Sequence, residues 1–191
     1  LKSSHSFLSA SFKAFFASLG GDLYRQDTQV DLAGMGSHTT LNGLYLSKGQ
    51  NTSDYCFKIN HKAPKTTSSQ YFKCLAKDQS KGIFQGNISV SEEAAETRSK
   101  QLNKNLILNP GAEIYTKPQL QIDTDDVKCS HGATVSRVRE EELFYLQTRG
   151  LSRKSAMDFL VTAFLSELLE IEKKEDLDIF ESEIKKSIRD M

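Results

Sequence analysis

Two residues whose side chains can bind a metal or act as a nucleophile lie close together in the second half of the chain. Cys129 and His131 are two positions apart in a stretch, Val127 to Val135, that alternates between two faces of an expected strand. Residues two apart in a β-strand point to the same face, about 6.6 Å apart along it. A thiolate and an imidazole so placed can bind a soft metal together, or the imidazole can lower the pKa of the thiol.

The same two residues have a simpler interpretation. Two protein ligands do not complete a metal site. Cysteine is among the most frequently buried residue types, and a histidine on an inner strand face is commonly a hydrogen-bonded core residue. The residue types alone therefore favour packing roles for Cys129 and His131.

Other candidate residues give weaker signals. An acidic run precedes the strand: Asp123, Asp125 and Asp126. It could bind a cation, but a solvated turn is the favoured interpretation. Cys56 and His61 fall on opposite faces of one expected strand and so do not form a local pair, and Cys74 is most simply a core residue.

Composition and missing motifs exclude several functions. The chain has 191 residues, with 25 basic and 25 acidic side chains, so it lacks the positive charge expected of nucleic-acid or membrane-surface binding. It contains no GxxxxGK[ST], GxGxxG, GxSxG, HExxH or CxxC sequence. We therefore expect a protein partner and no ATPase activity in the chain itself. Three unpatterned cysteines indicate a reducing compartment.

Short strands predominate from residue 22 to about 137. Phe16, Val30, Leu44 and Phe57 follow one another at spacings of 14, 14 and 13 residues. Glycines between the apolar runs are expected at corners: Gly34, Gly36, Gly43, Gly49, Gly82 and Gly86. This pattern suits either a β-solenoid or a β-sandwich. Residues 1–19 fit a helical stripe and a strand equally well.

A helical region is predicted from Glu140 onward. Acidic residues open a first helix, and Gly150 is expected just after its end. Ser152 is placed as the N-cap of a second helix, whose apolar stripe includes Met157, Leu160 and Phe164. A thinner stripe continues in the charged tail: Leu177, Phe180, Ile184 and Ile188.

Several segments resemble the SufD family of iron-sulfur cluster assembly proteins. The carrying segments are residues 116–120 (TKPQL), 125–134 (DDVKCSHGAT), 143–146 (LFYL) and 149–151 (RGL). Earlier segments, among them 20–25 (GGDLYR) and 41–45 (LNGLY), also agree. SufB is similar in the helical segments but has a His-Glu-Ala-Thr element where this chain has His131-Gly132-Ala133-Thr134, so SufD is the better match.

The resemblance implies a mainly β fold, a right-handed parallel β-helix followed by a small α-helical C-terminal domain. It assigns residues 1–138 to a partial β-helix and 139–191 to the helical domain, and it makes residues 11–19 a strand. The family has earlier coils and an N-terminal helical region, so the chain is expected to correspond to the C-terminal portion of a SufD protein.

The resemblance also implies partners and site residues. SufD pairs with SufB through the end of the β-helix, and its helical domain docks the ATPase SufC, in which ATP is hydrolysed. By position, His131 matches the family histidine implicated in cluster assembly at the SufB–SufD interface, and Cys129 the adjacent cysteine. Both are expected as interface residues and metal-ligand candidates, with iron or a cluster held only transiently. The SufC-docking residues implied on the helices are Phe144, Tyr145, Arg149, Leu160 and Phe164.

The expected function is thus a non-catalytic scaffold subunit in bacterial cytoplasm or plastid stroma. Two alternatives remain from the residues. One is a β-helix carbohydrate-active enzyme, for which Asp123, Asp125 and Asp126 are the carboxylate candidates and the absence of Trp is unfavourable. The other is a purely structural homodimer.

Overall fold

A computed structural model describes residues 9–171 and residue 186. Within this part of the chain, nine strands precede two helices. The strands are β1 (Ser11–Ser18), β2 (Leu23–Leu32), β3 (His38–Ser47), β4 (Thr52–His61), β5 (Thr67–Ala76), β6 (Lys81–Val90), β7 (Thr97–Ile107), β8 (Glu113–Ile122) and β9 (Val127–Arg137). The helices are α1 (Glu140–Thr148) and α2 (Arg153–Ile171). Residues 11–18 thus form a strand, as the family resemblance implied.

The strands wind into a parallel β-helix with two faces. Odd-numbered strands form one parallel sheet in the order β1-β3-β5-β7-β9, and even-numbered strands form the other in the order β2-β4-β6-β8. One coil therefore contains one strand of each sheet. Stacked side chains one coil apart are 29 or 31 residues apart in sequence, as in Asn60 to Asp31 and Gln101 to Gln70. The spacing of 13 or 14 residues in the sequence is half a coil, so the solenoid interpretation is correct.

The interior of the β-helix is filled mainly by stacked aromatic rings. Ring centroids of Phe57 and Phe72 are 4.4 Å apart, those of Phe72 and Phe84 5.3 Å, and those of Tyr45 and Tyr55 4.6 Å. All five side chains are buried. Aromatic pairs at these separations attract beyond the effect of buried area, so this stack stabilises the coils on which the last strands rest.

Three glycines predicted at corners lie within strands. A Cβ on Gly43 would be 2.5 Å from the ring of Phe72, and one on Gly82 would be 2.7 Å from the Cys74 sulfur. Gly86, in β6, is similarly close to Gln101. These positions are glycine because interior side chains occupy the space a Cβ would need. Gly36 and Gly49 do lie at corners, with φ of 74° and 65°.

Helix α2 packs against the outer face of the odd-numbered sheet. Val161, Leu165 and Leu168 form one buried cluster with residues of that sheet, including Leu44 and Leu75. The outward positions of these strands are consequently apolar where the helix covers them. No helix in the described ranges is long and apolar enough to cross a membrane.

The end of α1 and the start of α2 have the capping residues that the sequence predicted. Gly150 has a φ of 94° and donates its N–H to Gln147, and Leu151 donates to Leu146, the hydrogen-bond pattern of a Schellman C-terminus. At the start of α2, the Ser152 hydroxyl accepts the N–H of Ser155 at 3.1 Å, as an N-cap does. The tail stripe (Leu177, Phe180, Ile184 and Ile188) lies outside the described residues.

A buried lysine connects α2 to the sheet beneath it. Lys73, on the outer face of β5, has a side chain only 2% exposed and lies 3.1 Å from a carboxylate oxygen of Glu167. It also donates to the carbonyl of Phe164, and the hydroxyl of Tyr71 donates to Glu167 at 2.6 Å. The Tyr71 hydroxyl and Lys104, with Lys73, lower the pKa of Glu167 to about 2. A buried ammonium without its carboxylate partner would destabilise the folded chain. The ion pair with Glu167 therefore favours the observed position of α2 on the sheet.

Candidate functional site at the end of the β-helix

The last coil leaves two strand edges without a neighbour in the described part of the chain. β8 is the final strand of the even-numbered sheet and β9 the final strand of the odd-numbered sheet. Side chains that point inward from this coil therefore have only the preceding coil beneath them. We call this surface, the edges of β8 and β9 with the inward-facing side chains of both strands, the open end.

His131 and Cys129 both lie at the open end. They pair in register with Gln101 and Ser99 of β7, which are buried inside the β-helix. Because directly paired residues of neighbouring parallel strands point the same way, His131 and Cys129 face inward as well. The predicted shared face is thus correct.

The two residues differ in exposure. His131 is exposed, so its interpretation as a buried core histidine is wrong. Cys129 is partly buried and packs against the cluster of Ile88, Val90 and Ala94, and this burial raises the pKa of its thiol. His131 is not among the described groups that shift the pKa of this thiol. The packing of Cys129 favours the neutral thiol over the metal-binding thiolate.

The inward-facing side chains of β8, next to Cys129 and His131, are uncharged. On β8, Thr116, Pro118 and Leu120 occupy the inward positions, in register with Phe84, Gly86 and Ile88 of β6. Asp123, Asp125 and Asp126 are exposed between the two strands. Among the described residues, no group of three His, Cys, Asp or Glu side chains is placed to hold a metal ion.

A polar row runs through the interior below His131 and Cys129. The hydroxyls of Thr66 and Thr97 are 3.0 Å apart, and those of Ser68 and Ser99 are 2.7 Å apart. The amide of Gln101 donates to that of Gln70 at 3.2 Å. Each pair is 31 residues apart, and these stacked pairs were not identified from the sequence. The signal that would have found them is the recurrence of one residue type at the length of a coil.

His61 belongs to the same polar interior. Its ring nitrogens are 2.8 Å from the Thr66 hydroxyl and 2.9 Å from the Ser68 hydroxyl. Cys56 lies on the opposite face of β4 and is partly exposed, while Cys74 is buried in the aromatic core. The sequence-based assignments of opposite faces for Cys56 and His61, and of a core position for Cys74, are therefore confirmed.

Acid is expected to weaken the fold through His61. Burial lowers the pKa of His61 from about 6.5 to about 4. Between these values the unfolded chain binds a proton that the folded chain does not, so stability is complete above pH 6.5 and falls toward pH 4. The full loss is on the order of 3 kcal/mol. Urea unfolding at pH 7, 5.5 and 4.5 measures it, with His61→Gln as the control. An equal pH slope in both proteins would contradict this account.

The helices present a second candidate surface. Phe144 is 68% exposed, Tyr145 is also exposed, and the guanidinium of Arg149 lies 5.3 Å from the Tyr145 ring centroid. Leu160 and Phe164 are only partly exposed, because α2 packs Phe164 toward the sheet. Of the predicted docking residues, three thus project from α1 and its end, and two line a cleft beside them. We call these five residues the helical surface.

That cleft separates the helices from the last coil. It has a volume of about 900 Å³, and its lining includes Tyr115, Val135 and Arg137 of the last two strands with Leu160 and Phe164 of α2. The open end and the helical surface therefore meet along one side of the molecule.

Comparison with known proteins agrees with this architecture. Residues 5–164 match the family model described as "SUF system FeS cluster assembly, SufBD core domain". The chain is 37% identical to the iron-sulfur cluster assembly protein SufD of Escherichia coli over 91% of its own length. It is 36% identical over 83% of its length to the SufBD family protein slr0076 of Synechocystis. It is 38% identical over 80% of its length to the chloroplastic protein ABCI7 of Arabidopsis thaliana.

The chain belongs to the SufBD core family of the SUF iron-sulfur cluster assembly system, and its similarity is to the SufD members. It spans 39%, 35% and 32% of the lengths of these three relatives.

Proposed function

We propose that this chain is a non-catalytic scaffold subunit of an iron-sulfur cluster assembly complex. It pairs with a SufB protein through the open end and docks a SufC ATPase on the helical surface, where ATP is hydrolysed by SufC. The observation that carries the proposal is the exposed, inward-facing His131 on a strand that has no neighbour on its outer edge among residues 9–171. An open parallel edge invites a further strand, and a partner strand there would cover His131.

The cargo of the proposed complex is iron or a nascent cluster, held transiently and not as a resident cofactor. His131 supplies an imidazole nitrogen, a common ligand for iron. Cys129 is the weaker candidate, because its burial raises the pKa of the thiol. Two ligands leave coordination positions for groups from SufB and for sulfide. The similarity to bacterial and chloroplastic relatives supports the cytoplasm or the plastid stroma as the compartment.

Co-expression tests the proposed assembly. The full chain, carrying an affinity tag, is produced with the SufB and SufC proteins of its own organism, and the eluted material is weighed by native mass spectrometry. We expect one complex that contains all three proteins. A chain recovered only as a monomer, or only as a homodimer while SufB is present, would contradict the proposal.

Docking of the ATPase is expected to depend on Phe144. Replacement of this side chain by Asp removes an exposed aromatic contact and should weaken SufC binding roughly tenfold or more without changing thermal stability. Met35→Asp, at an exposed corner between β2 and β3, is the matched control. Titration of SufC by calorimetry measures both. Unchanged affinity in Phe144→Asp would exclude α1 from the docking surface.

A further inference from the structure

The side-chain carbonyl of Gln101 is a buried hydrogen-bond acceptor that has no partner among the described residues. Gln101 is 1% exposed, and its Oε1 accepts no hydrogen bond in the structure. Its Nε2 donates to Oε1 of Gln70 in the coil below, at 3.2 Å. The oxygen and nitrogen of an amide diverge from their shared carbon, so the Gln101 oxygen is not the atom that contacts the Gln70 oxygen. The other neighbour of Gln101 in the stack is a residue of the coil above.

The residue above Gln101 is His131. Gln70 pairs with Gln101 in the β5–β7 register, and Gln101 pairs with His131 in the β7–β9 register. Neighbouring strands are about 4.8 Å apart, and in-register side chains stack at this spacing. An inward rotamer of the imidazole brings a ring N–H within reach of the Gln101 oxygen.

The opposite strand is shaped to hold the Gln101 amide. A Cβ on Gly86 would lie 2.1 Å from Nε2 and 2.8 Å from the amide carbon of Gln101. The backbone of β6 thus closes directly against this amide, and the hydrogen bond to Gln70 fixes its orientation. The carbonyl is preorganised before any partner arrives.

A partner protein that covers the open end would change which hydrogen-bond partners are available to the His131 ring nitrogens. In the free chain, water can satisfy both ring nitrogens because the side chain is exposed. Once a partner excludes water, an unpaired ring N–H would be costly, and the free oxygen of Gln101 is a buried acceptor in the neighbouring in-register position. In histidines that bind metals, the N–H of the second ring nitrogen usually donates a hydrogen bond to such an acceptor, which fixes the tautomer.

We propose that Gln101 is a positioning residue for His131: its carbonyl accepts one imidazole N–H in the assembled complex and leaves the other ring nitrogen unprotonated toward the partner. This inference rests on the proposed function of His131. Gln70 contributes to the orientation of the amide from one coil below, and the β6 backbone at Gly86 confines the same amide whether or not Gln70 is present.

The test is the tautomer of His131 in the SufB-bound full chain. Histidine labelled with ¹⁵N in this chain alone reports each ring nitrogen by magic-angle-spinning NMR of the sedimented complex near pH 7.5, and the signal missing in His131→Ala identifies the residue. We expect one dominant neutral tautomer. Gln101→Met removes the acceptor while keeping a similar side-chain length, and should reduce the tautomer ratio about fivefold.

Two further variants separate positioning from stability. Gln70→Met disrupts the same stack one coil lower and should change the ratio less than Gln101→Met. Gln101→Asn keeps a buried amide but withdraws its carbonyl by one methylene, so it should also reduce the ratio, which makes the proposal testable even if Gln101→Met does not fold. An unchanged ratio in Gln101→Met, an unchanged ratio in Gln101→Asn, or an equal change in Gln70→Met and Gln101→Met would each overturn it.

The outcome is distinguishable from failure of the proposed function. Normal cluster formation by His131→Ala would reject the role of His131 whatever its tautomer. Impaired cluster formation by His131→Ala, together with a His131 tautomer ratio that does not change in the Gln101 variants, would reject only the positioning role of Gln101.

Discussion

Replacement of His131 by alanine is expected to leave the three-protein complex assembled and to slow cluster formation by roughly tenfold or more. The complex should survive because His131 is a single exposed residue of the open end, whereas the proposed pairing uses the edges of both β8 and β9. Cluster formation should suffer because the imidazole is a ligand candidate that faces the covered space. Anaerobic reconstitution with iron and a sulfide source, followed by visible absorbance, measures the rate.

Two variants on the same strand serve as controls. Ser130→Ala changes an adjacent exposed residue that points to the opposite face, and should reconstitute at the normal rate. Cys129→Ala should have a smaller effect than His131→Ala, because the raised pKa of the thiol disfavours the thiolate. Normal cluster formation by His131→Ala would show that the exposed histidine is not part of the assembly site.

Replacement of Leu165 by aspartate is expected to release α2 from the β-helix. Leu165 is 1% exposed and lies in the apolar cluster between α2 and the odd-numbered sheet. Loss of this side chain and burial of a carboxylate should weaken the packing of α2 against the sheet by about 3 to 5 kcal/mol. The coils should stay folded, because the aromatic core is a separate cluster inside them.

Limited proteolysis and SufC binding measure this effect together. Cleavage within α2 should accelerate strongly and SufC should no longer bind, since Leu160 and Phe164 leave their positions with the helix. Phe164→Asp should act in the same direction to a smaller degree, because Phe164 is partly exposed. Phe159→Asp, on the same helix but 57% exposed, is the matched control and should resist proteolysis like the unmodified chain. Retained protection of α2 in Leu165→Asp would contradict this packing.

Much of the β-helix is encoded in local patterns that the sequence displays. The half-coil spacing of Phe16, Val30, Leu44 and Phe57 reflects a real structural period, and the caps at Gly150 and Ser152 are local signals that require no tertiary context. The choice between solenoid and sandwich depended on the family resemblance. Both folds use short strands of similar length. Which strands pair with one another depends on residues a whole coil apart, so no local sequence pattern distinguishes the two folds.

Other features depend on what a residue meets in the next coil or in a distant segment. Gly43 has the residue type expected at a corner, but it is a glycine because the ring of Phe72 in the next coil occupies the space of a Cβ. Lys73 reads as an ordinary outward-facing lysine of a strand, and only α2 makes it buried. The shared face of Cys129 and His131 could be predicted from β-strand alternation. Their unequal exposure could not, because it depends on which residues of the preceding coil lie beneath them.

Hydrogen–deuterium exchange of the full chain, with and without SufB, tests the central claim most directly. An edge strand has about half of its backbone N–H groups without a partner strand, so amides of β8 and β9 should exchange quickly in the free chain. Binding of SufB at the open end should slow exchange in both strands, while β4 and β6 remain as they were. Unchanged exchange in β8 and β9 despite demonstrated SufB binding would contradict the account, because the partner would then lie on another surface.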